Sequence, residues 1–235
     1  MEIINLGETQ SVLNQFVAEL RDVNIQQDSL RFRRNIERIG EVMAYEISKR
    51  LHYQVKAVQT PLGIASMALP DESLVIGTIF RAGLPFHQGF LNCFDRAGNA
   101  FVSAFRQYTD PAHQHFDIHI EYIASPRLEG KTLLLVDPML ATGSSMELAY
   151  QALLTKGQPE HIHAVAIIAS QQAVDYIAKL MPAERTTLWV AAIDPSLNEH
   201  AYIVPGLGDA GDLAFGEKEE MGFANRHKKT RIHHQ

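Results

Sequence analysis

An apolar run, Leu133-Leu134-Leu135-Val136, stops at Asp137. Pro138-Met139-Leu140-Ala141-Thr142-Gly143-Ser144-Ser145 follows, and a helical pattern begins at Met146. This is the order of a buried strand, a tight turn and a helix N-terminus. A strand this uniformly apolar is buried on both faces, so it belongs in a parallel sheet with helices on either side. The first N–H groups of the following helix lack intrahelical partners, and the helix dipole favours negative charge there. The turn holds no Lys, which separates it from the GxxxxGK[ST] loop of ATPases. An acid leading into Ala141-Thr142-Gly143-Ser144-Ser145 suits a sugar phosphate: a carboxylate for ribose hydroxyls, then N–H and O–H donors for the phosphate. The same residues also make an ordinary strand–turn–helix junction with Thr142 or Ser144 as N-cap. The turn alone leaves both readings open.

The strand-then-helix pattern recurs. Short apolar strands are expected at 55–59, 74–80, 100–105, 131–137, 162–169 and 187–193, with an exposed strand at 115–122. Helices are expected from Asp28-Ser29 to about Leu51, after Arg81-Ala82-Gly83 to about Phe94, at 145–155 and at 171–180. The fold class is therefore α/β, a mostly parallel sheet flanked by helices. One domain over residues 1–216 is the simplest organisation, with the N-terminal helices and the 53–70 region as a small hood or accessory layer. Residues 217–235 form a charged tail, expected to be disordered. Ligands in such sheets sit beyond the carboxyl ends of the strands. Arg81, Asp137 and Asp194 fall at those ends, and Arg106 closes a fourth strand.

Composition limits the partners. A net charge of −6 argues against a general nucleic-acid binder, so an anionic ligand must be held by local donors. Cys93 is the single cysteine, which excludes an intrachain disulfide and suits a reducing, cytoplasmic compartment. No stretch approaches the roughly 18 apolar residues of a membrane span, and the polar start does not read as a signal peptide. His113, His115 and His119 lie close together in a polar stretch, but with no second cysteine a zinc site is not expected. Arg31, Arg33, Arg34 and Arg38 share a helix with Glu37 and Glu41 and read as a solvated charged face. Leu197 through Asp212 carries Gly206, Gly208 and Gly211, which marks a loop of demanding backbone geometry. Such a loop presents N–H and C=O groups able to read the edge of a planar base.

These residues resemble uracil phosphoribosyltransferases. Val136 through Ser145 resembles their phosphoribosyl-diphosphate (PRPP) loop, and Ile193-Asp194 with Leu197-Asn198-Glu199-His200 through Asp212 resembles their uracil segment. Phe80-Arg81-Ala82-Gly83-Leu84 resembles the pyrophosphate loop, Phe105-Arg106 the second arginine, and Arg31-Phe32-Arg33 an N-terminal helix element. The resemblance spans about 28 to 216. It implies the type I phosphoribosyltransferase fold and the reaction of uracil with PRPP to UMP and pyrophosphate. It implies roles as well. Asp137 and Arg106 are the catalytic residues. Arg81 and Arg106 hold pyrophosphate, Asp137 contacts the ribose, and Thr142, Gly143, Ser144 and Ser145 hold the 5′-phosphate. Pro138, Met139, Leu140 and Ala141 complete the PRPP turn. Ile203, Gly208, Asp209 and Ala210 bind uracil through backbone groups, and Asp209 also faces PRPP through Mg²⁺, the implied cofactor. The peptide after Arg81 is expected to be cis. A homo-oligomer, dimer or larger, is implied, and GTP is a candidate effector.

Three departures stand out. The family usually has a second glycine where this chain has Ser144, so a φ > 0 turn there would be strained. The lid that usually reads Arg-Asn-Glu-Glu-Thr is Arg106-Gln107-Tyr108-Thr109-Asp110 here, and no Lys lies between Ala82 and Gly130. The tail past Glu217 also extends beyond the family's expected end. Two other functions fit the same fold. An RNA-binding pyrimidine regulator would need a broad basic face. A catalytically silent nucleotide sensor would have lost Arg81, Arg106 or Asp137, and all three are present.

Overall fold

A computed structural model describes the backbone of residues 1–108 and 116–217, and all side chains in those ranges except 104–108 and 116–120. The 109–115 part of the lid, the side chain of Arg106, the 113/115/119 histidine cluster and the tail from 218 lie outside the described residues.

The chain opens with β1 (Glu2–Asn5), α1 (Val12–Arg21) and α2 (Ser29–Ser48), then the hairpin β2 (Tyr53–Thr60) and β3 (Gly63–Pro70). Next come β4 (Leu74–Ile79), α3 (Gly83–Cys93), β5 (Gly98–Tyr108) and β6 (Phe116–Ala124). The central part holds β7 (Thr132–Val136), β8 (Met139–Leu140), α4 (Ser144–Leu154), β9 (His161–Ser170) and α5 (Gln171–Leu180). The chain then runs through β10 (Thr186–Asp194), β11 (Ser196–Leu197), β12 (Ile203–Val204) and α6 (Ala210–Phe215).

The main sheet has the order β1-β10-β9-β7-β4-β5-β6, with β8 extending the pairing to β9. Every described pairing in it is parallel except β5 with β6. The mostly parallel sheet expected from the repeated pattern is what forms. The polar start adds an element that the pattern did not reveal: Glu2–Asn5 pairs with Thr187–Val190 as an edge strand, too short for periodicity to register.

Strand alternation divides the core in two. Leu134 and Val136 of β7 join Val165 and Ile167 of β9 under Phe32, Ile36, Ile39, Phe86 and Phe90. Leu133 and Leu135 point the other way, into a cluster with Met146, Ala149, Leu153 and Ile177 from α4 and α5. The N-terminal helices thus form part of the layer over one sheet face. Asp28 caps α2 by accepting from the N–H groups of Leu30 and Arg31, as its sequence position predicts. The 53–70 hairpin is exposed along nearly its whole length.

Candidate active site

At the carboxyl end of β7 the chain makes its turn against the neighbouring strand. The Asp137 N–H donates to Val165 C=O at 3.0 Å, and Pro138 C=O accepts from Ile167 and Ile168 at 3.1 and 3.0 Å. Ser170 Oγ donates to Ala141 C=O at 2.6 Å. Pro138 and Leu140 are buried by this docking, whereas Asp137, Met139, Ala141 and Ser145 line a cleft of about 390 Å³. Thr142 and Ser144 face an adjoining depression with Gln171, Asp175, Tyr176 and Lys179. Of the four residues expected to hold the phosphate, Ser145 thus reaches the cleft, while Thr142, Gly143 and Ser144 do not line it.

The cap differs from expectation. Gly143 occupies the N-cap position with φ +85, and no side chain caps the helix. Thr142 Oγ1 accepts instead from the N–H of Ser144, inside the first turn, at 3.3 Å. Ser144 is the first residue of α4, and the left-handed conformation falls on Gly143 alone. The strain that the missing second glycine would have caused is thus absent. A Cβ on Gly143 would lie 2.7 Å from Cδ1 of Tyr176, so both space and φ demand glycine here.

Asp137 lines the cleft, and burial pushes its carboxyl up to about 7. The opposing influence is the N–H of Met139, 3.3 Å from Oδ1. Burial disfavours an uncompensated negative charge on Asp137 and favours a cationic neighbour.

The opposite wall is the glycine loop. Ala201, Tyr202, Ile203, Gly208, Asp209, Ala210 and Gly211 line the same cleft. Asn198 shapes its entry by accepting from the N–H groups of His200 and Tyr202 at 3.0 and 2.9 Å. Asp209 caps α6 through the N–H of Asp212 at 3.0 Å. Gly206 and Gly208 have φ +55 and +93, and a cis peptide joins Val204 to Pro205.

Arg81 lines the cleft too. Its Nη2 donates to Asp212 Oδ1 and its Nη1 to Gly216 C=O at 3.0 Å, so in this state it is tied to α6. The cis peptide expected after Arg81 lies one bond earlier, between Phe80 and Arg81. The backbone of Arg106 lies on β5 opposite Ile118. Asp194 departs from its sequence reading as a ligand candidate: its carboxylate is buried against Arg21 and Gly206. Burial raises its pKa, but the Arg21 fork and the Gly206 N–H outweigh that and hold it below the usual carboxylate value.

The arginines of α2 are engaged as well. Arg31 pairs with Glu19, Arg34 with Glu37, and Arg33 donates to Ala214 C=O at 2.6 Å. His163 is structural, as its strand position suggests. Its Nδ1 accepts from Trp189 Nε1 at 3.1 Å, and burial depresses its pKa to about 3. The sequence reading assigned no role to Phe80 and Tyr202, which line the cleft though both are more than 40% exposed. An exposed aromatic beside each motif was the available signal. Arg21 carried no signal at all.

Among the described residues no helix is long and apolar enough to cross a membrane. The family model for uracil phosphoribosyltransferase matches residues 8–217. A uracil phosphoribosyltransferase of Porphyromonas gingivalis is 67% identical over 218 residues, covering 93% of this chain and 100% of the relative. One from Methanothermobacter thermautotrophicus is 37% identical, covering 82% of this chain and 87% of its own. Among solved structures, the AQ2163 protein of Aquifex aeolicus superposes with a TM-score of 0.78 at 29% identity, covering 91% of this chain and 98% of that one. With the acid-led turn and the glycine loop facing one cleft, the chain belongs to the uracil phosphoribosyltransferase family.

Proposed function

We propose that this cleft transfers the phosphoribosyl group of PRPP to uracil, giving UMP and pyrophosphate, with the work divided between its two walls. The observation that carries the reading is that Asp137, Met139, Ala141 and Ser145 of the turn line one cavity with Ile203, Gly208, Asp209, Ala210 and Gly211 of the glycine loop. In this scheme Thr142, Gly143, Ser144 and Ser145 hold the 5′-phosphate by N–H and O–H donors at the start of α4. Asp137 binds the ribose hydroxyls and stabilises the positive charge that develops on the ribose as pyrophosphate departs. A carboxylate that burial makes uncomfortable gains most from a cation formed beside it. Arg81 and Arg106 take the pyrophosphate, with Arg81 exchanging its bond to Asp212 for the incoming anion. Ile203 and Gly208-Asp209-Ala210 read the acceptor–donor–acceptor edge of uracil. Cytosine presents an acceptor where uracil has its N3 donor, so it leaves a buried group unpaired. No side-chain nucleophile is required; positioning and electrostatics supply the rate.

Mg²⁺ fits this cleft. Asp137 and Asp209 both line it and offer hard oxygen ligands, the chemistry Mg²⁺ takes when it arrives with a polyphosphate. Asp209 is the residue we propose to hold it, and the ion supplies charge neutralisation at the leaving pyrophosphate. We also propose a homo-oligomer. A two-stranded hairpin is marginal alone in water, and this one exposes Val55, Leu62 and Ile64 at 74%, 100% and 75%. A second copy covering it would remove that apolar surface. A cytoplasmic location is proposed on the single cysteine. Incubation with uracil, PRPP and Mg²⁺ should yield UMP, and no UMP under those conditions would overturn the reading. Repeating the assay with GTP tests that effector, and light scattering tests the oligomer.

A further inference from the structure

Asp194 is the last residue of β10, and its carboxylate is buried against protein. Oδ1 accepts from Nη2 of Arg21 at 2.8 Å, and Oδ2 accepts from Nη1 at 2.8 Å. Oδ2 also accepts from the N–H of Gly206 at 2.9 Å, while Nη1 donates to Gly206 C=O at 2.9 Å. One ion pair thus grips both polar groups of Gly206. The side chains are only 24% and 7% exposed. Arg21 is fixed from behind as the last residue of α1, a helix anchored by buried Leu13, Val17 and Leu20. Gln26 Nε2 closes that helix end by donating to the C=O groups of Leu20 and Arg21 at 3.2 and 3.1 Å. Gly206 itself has φ +55, and a Cβ there would lie 2.0 Å from the oxygen of Ile203.

We infer that Arg21 and Asp194 are positioning residues for the base half of the cleft: they set uracil affinity without touching uracil. This rests on the uracil reading above. Ile203 lies three residues before the gripped glycine, and Gly208 and Asp209 lie two and three after it. Reading a base by backbone groups requires those groups to be fixed to a fraction of an ångström. A buried ion pair adds little net stability over apolar packing of the same volume. What it supplies here is a two-pronged geometry that orients one peptide.

The test is steady-state kinetics on Arg21→Met and Arg21→Lys, run well below melting temperatures measured by circular dichroism. Arg21→Lys keeps the charge but loses the fork. Arg21→Met should raise the uracil KM by roughly tenfold to a hundredfold, and Arg21→Lys by about threefold to tenfold. The PRPP KM should stay within about twofold in both, the split that a local positioning role requires. An unchanged uracil KM in both variants overturns the inference, and so does a parallel rise of both KM values. If Arg21→Met does not fold, Arg21→Lys decides on the same criteria. A wild-type chain that makes no UMP is a different failure: it removes the uracil reading and the inference with it.

Discussion

The two walls of the cleft are anchored over different distances along the chain. The Asp137–Ser145 turn is held by β9 and the start of α5, and the hydrogen bond from Ser170 to Ala141 spans 29 residues. The Ile203–Gly211 loop and α6 are held by guanidinium groups from far upstream. Arg21 reaches Gly206 across 185 residues, Arg33 reaches Ala214 across 181, and Arg81 reaches Asp212 across 131. The wall built by the turn is thus a nearly self-contained βαβ unit, placed by its own strand pairing. The glycine-loop wall has little regular structure, and alongside local bonds from Asn198 and Asp209 it is held by remote cations. A self-contained unit should respond to mutation locally, whereas the glycine loop should also respond to changes in the N-terminal helices.

The largest expected effect lies where the walls meet. Asp137→Asn should lower kcat by about 10²–10³, in line with loss of one electrostatic contact in a transition state. Its stability should move the opposite way with pH. The native carboxyl keeps its proton up to about 7, while the unfolded one releases it near 3.8. Between those values the native state binds more protons, so wild-type stability falls as pH rises. Asp137→Asn is therefore expected to melt higher than wild type at pH 8 and to lose that advantage by pH 3. The wild-type kcat/KM for PRPP should climb through pH 7 as the free carboxyl ionises. A flat pH profile would remove Asp137 from that role.

Next in size are two glycine substitutions that set the walls against each other. Gly206→Ala places a methyl against Ile203 C=O, and Gly143→Ala places one against the Tyr176 ring, both at positive φ. Each should cost on the order of 1–3 kcal/mol. The first should raise mainly the uracil KM and the second mainly the PRPP KM. If either raises both equally, the division between the walls fails.

A smaller effect is expected at Tyr176, whose hydroxyl donates to Glu147 at 2.7 Å across the α4–α5 contact. Tyr176→Phe should cost about 1 kcal/mol and raise the PRPP KM a few-fold without moving that for uracil. The smallest is Asp212→Asn. Its partner Arg81 and Asp212 itself are each about a third exposed, 35% and 29%, so the loss should be under about 1 kcal/mol in a melting experiment. Arg81→Ala should raise the PRPP KM clearly more than Asp212→Asn does. If both instead raise the uracil KM, Arg81 serves the base wall and not pyrophosphate.

Local patterns in the sequence determined a good deal of this protein. The uniform apolar run at 133–136 required a strand buried on both faces, and the turn after Asp137 required a helix N-terminus beside it. Asp28 marked the start of α2, because capping chemistry acts within a few residues. The glycine loop was legible as a loop needing unusual backbone. Four outcomes depended on three-dimensional packing. The left-handed residue fell on Gly143 and spared Ser144, and the Tyr176 ring packs where a side chain at 143 would lie. The polar start became an edge strand because β10 offered it an open side. Arg81 turned to Asp212, and Asp194 paired with Arg21. Each of these last two pairs joins charges more than a hundred residues apart in sequence. No pattern within a window encodes such a meeting; it exists only once the sheet has brought the strand ends and the N-terminal helices to one edge.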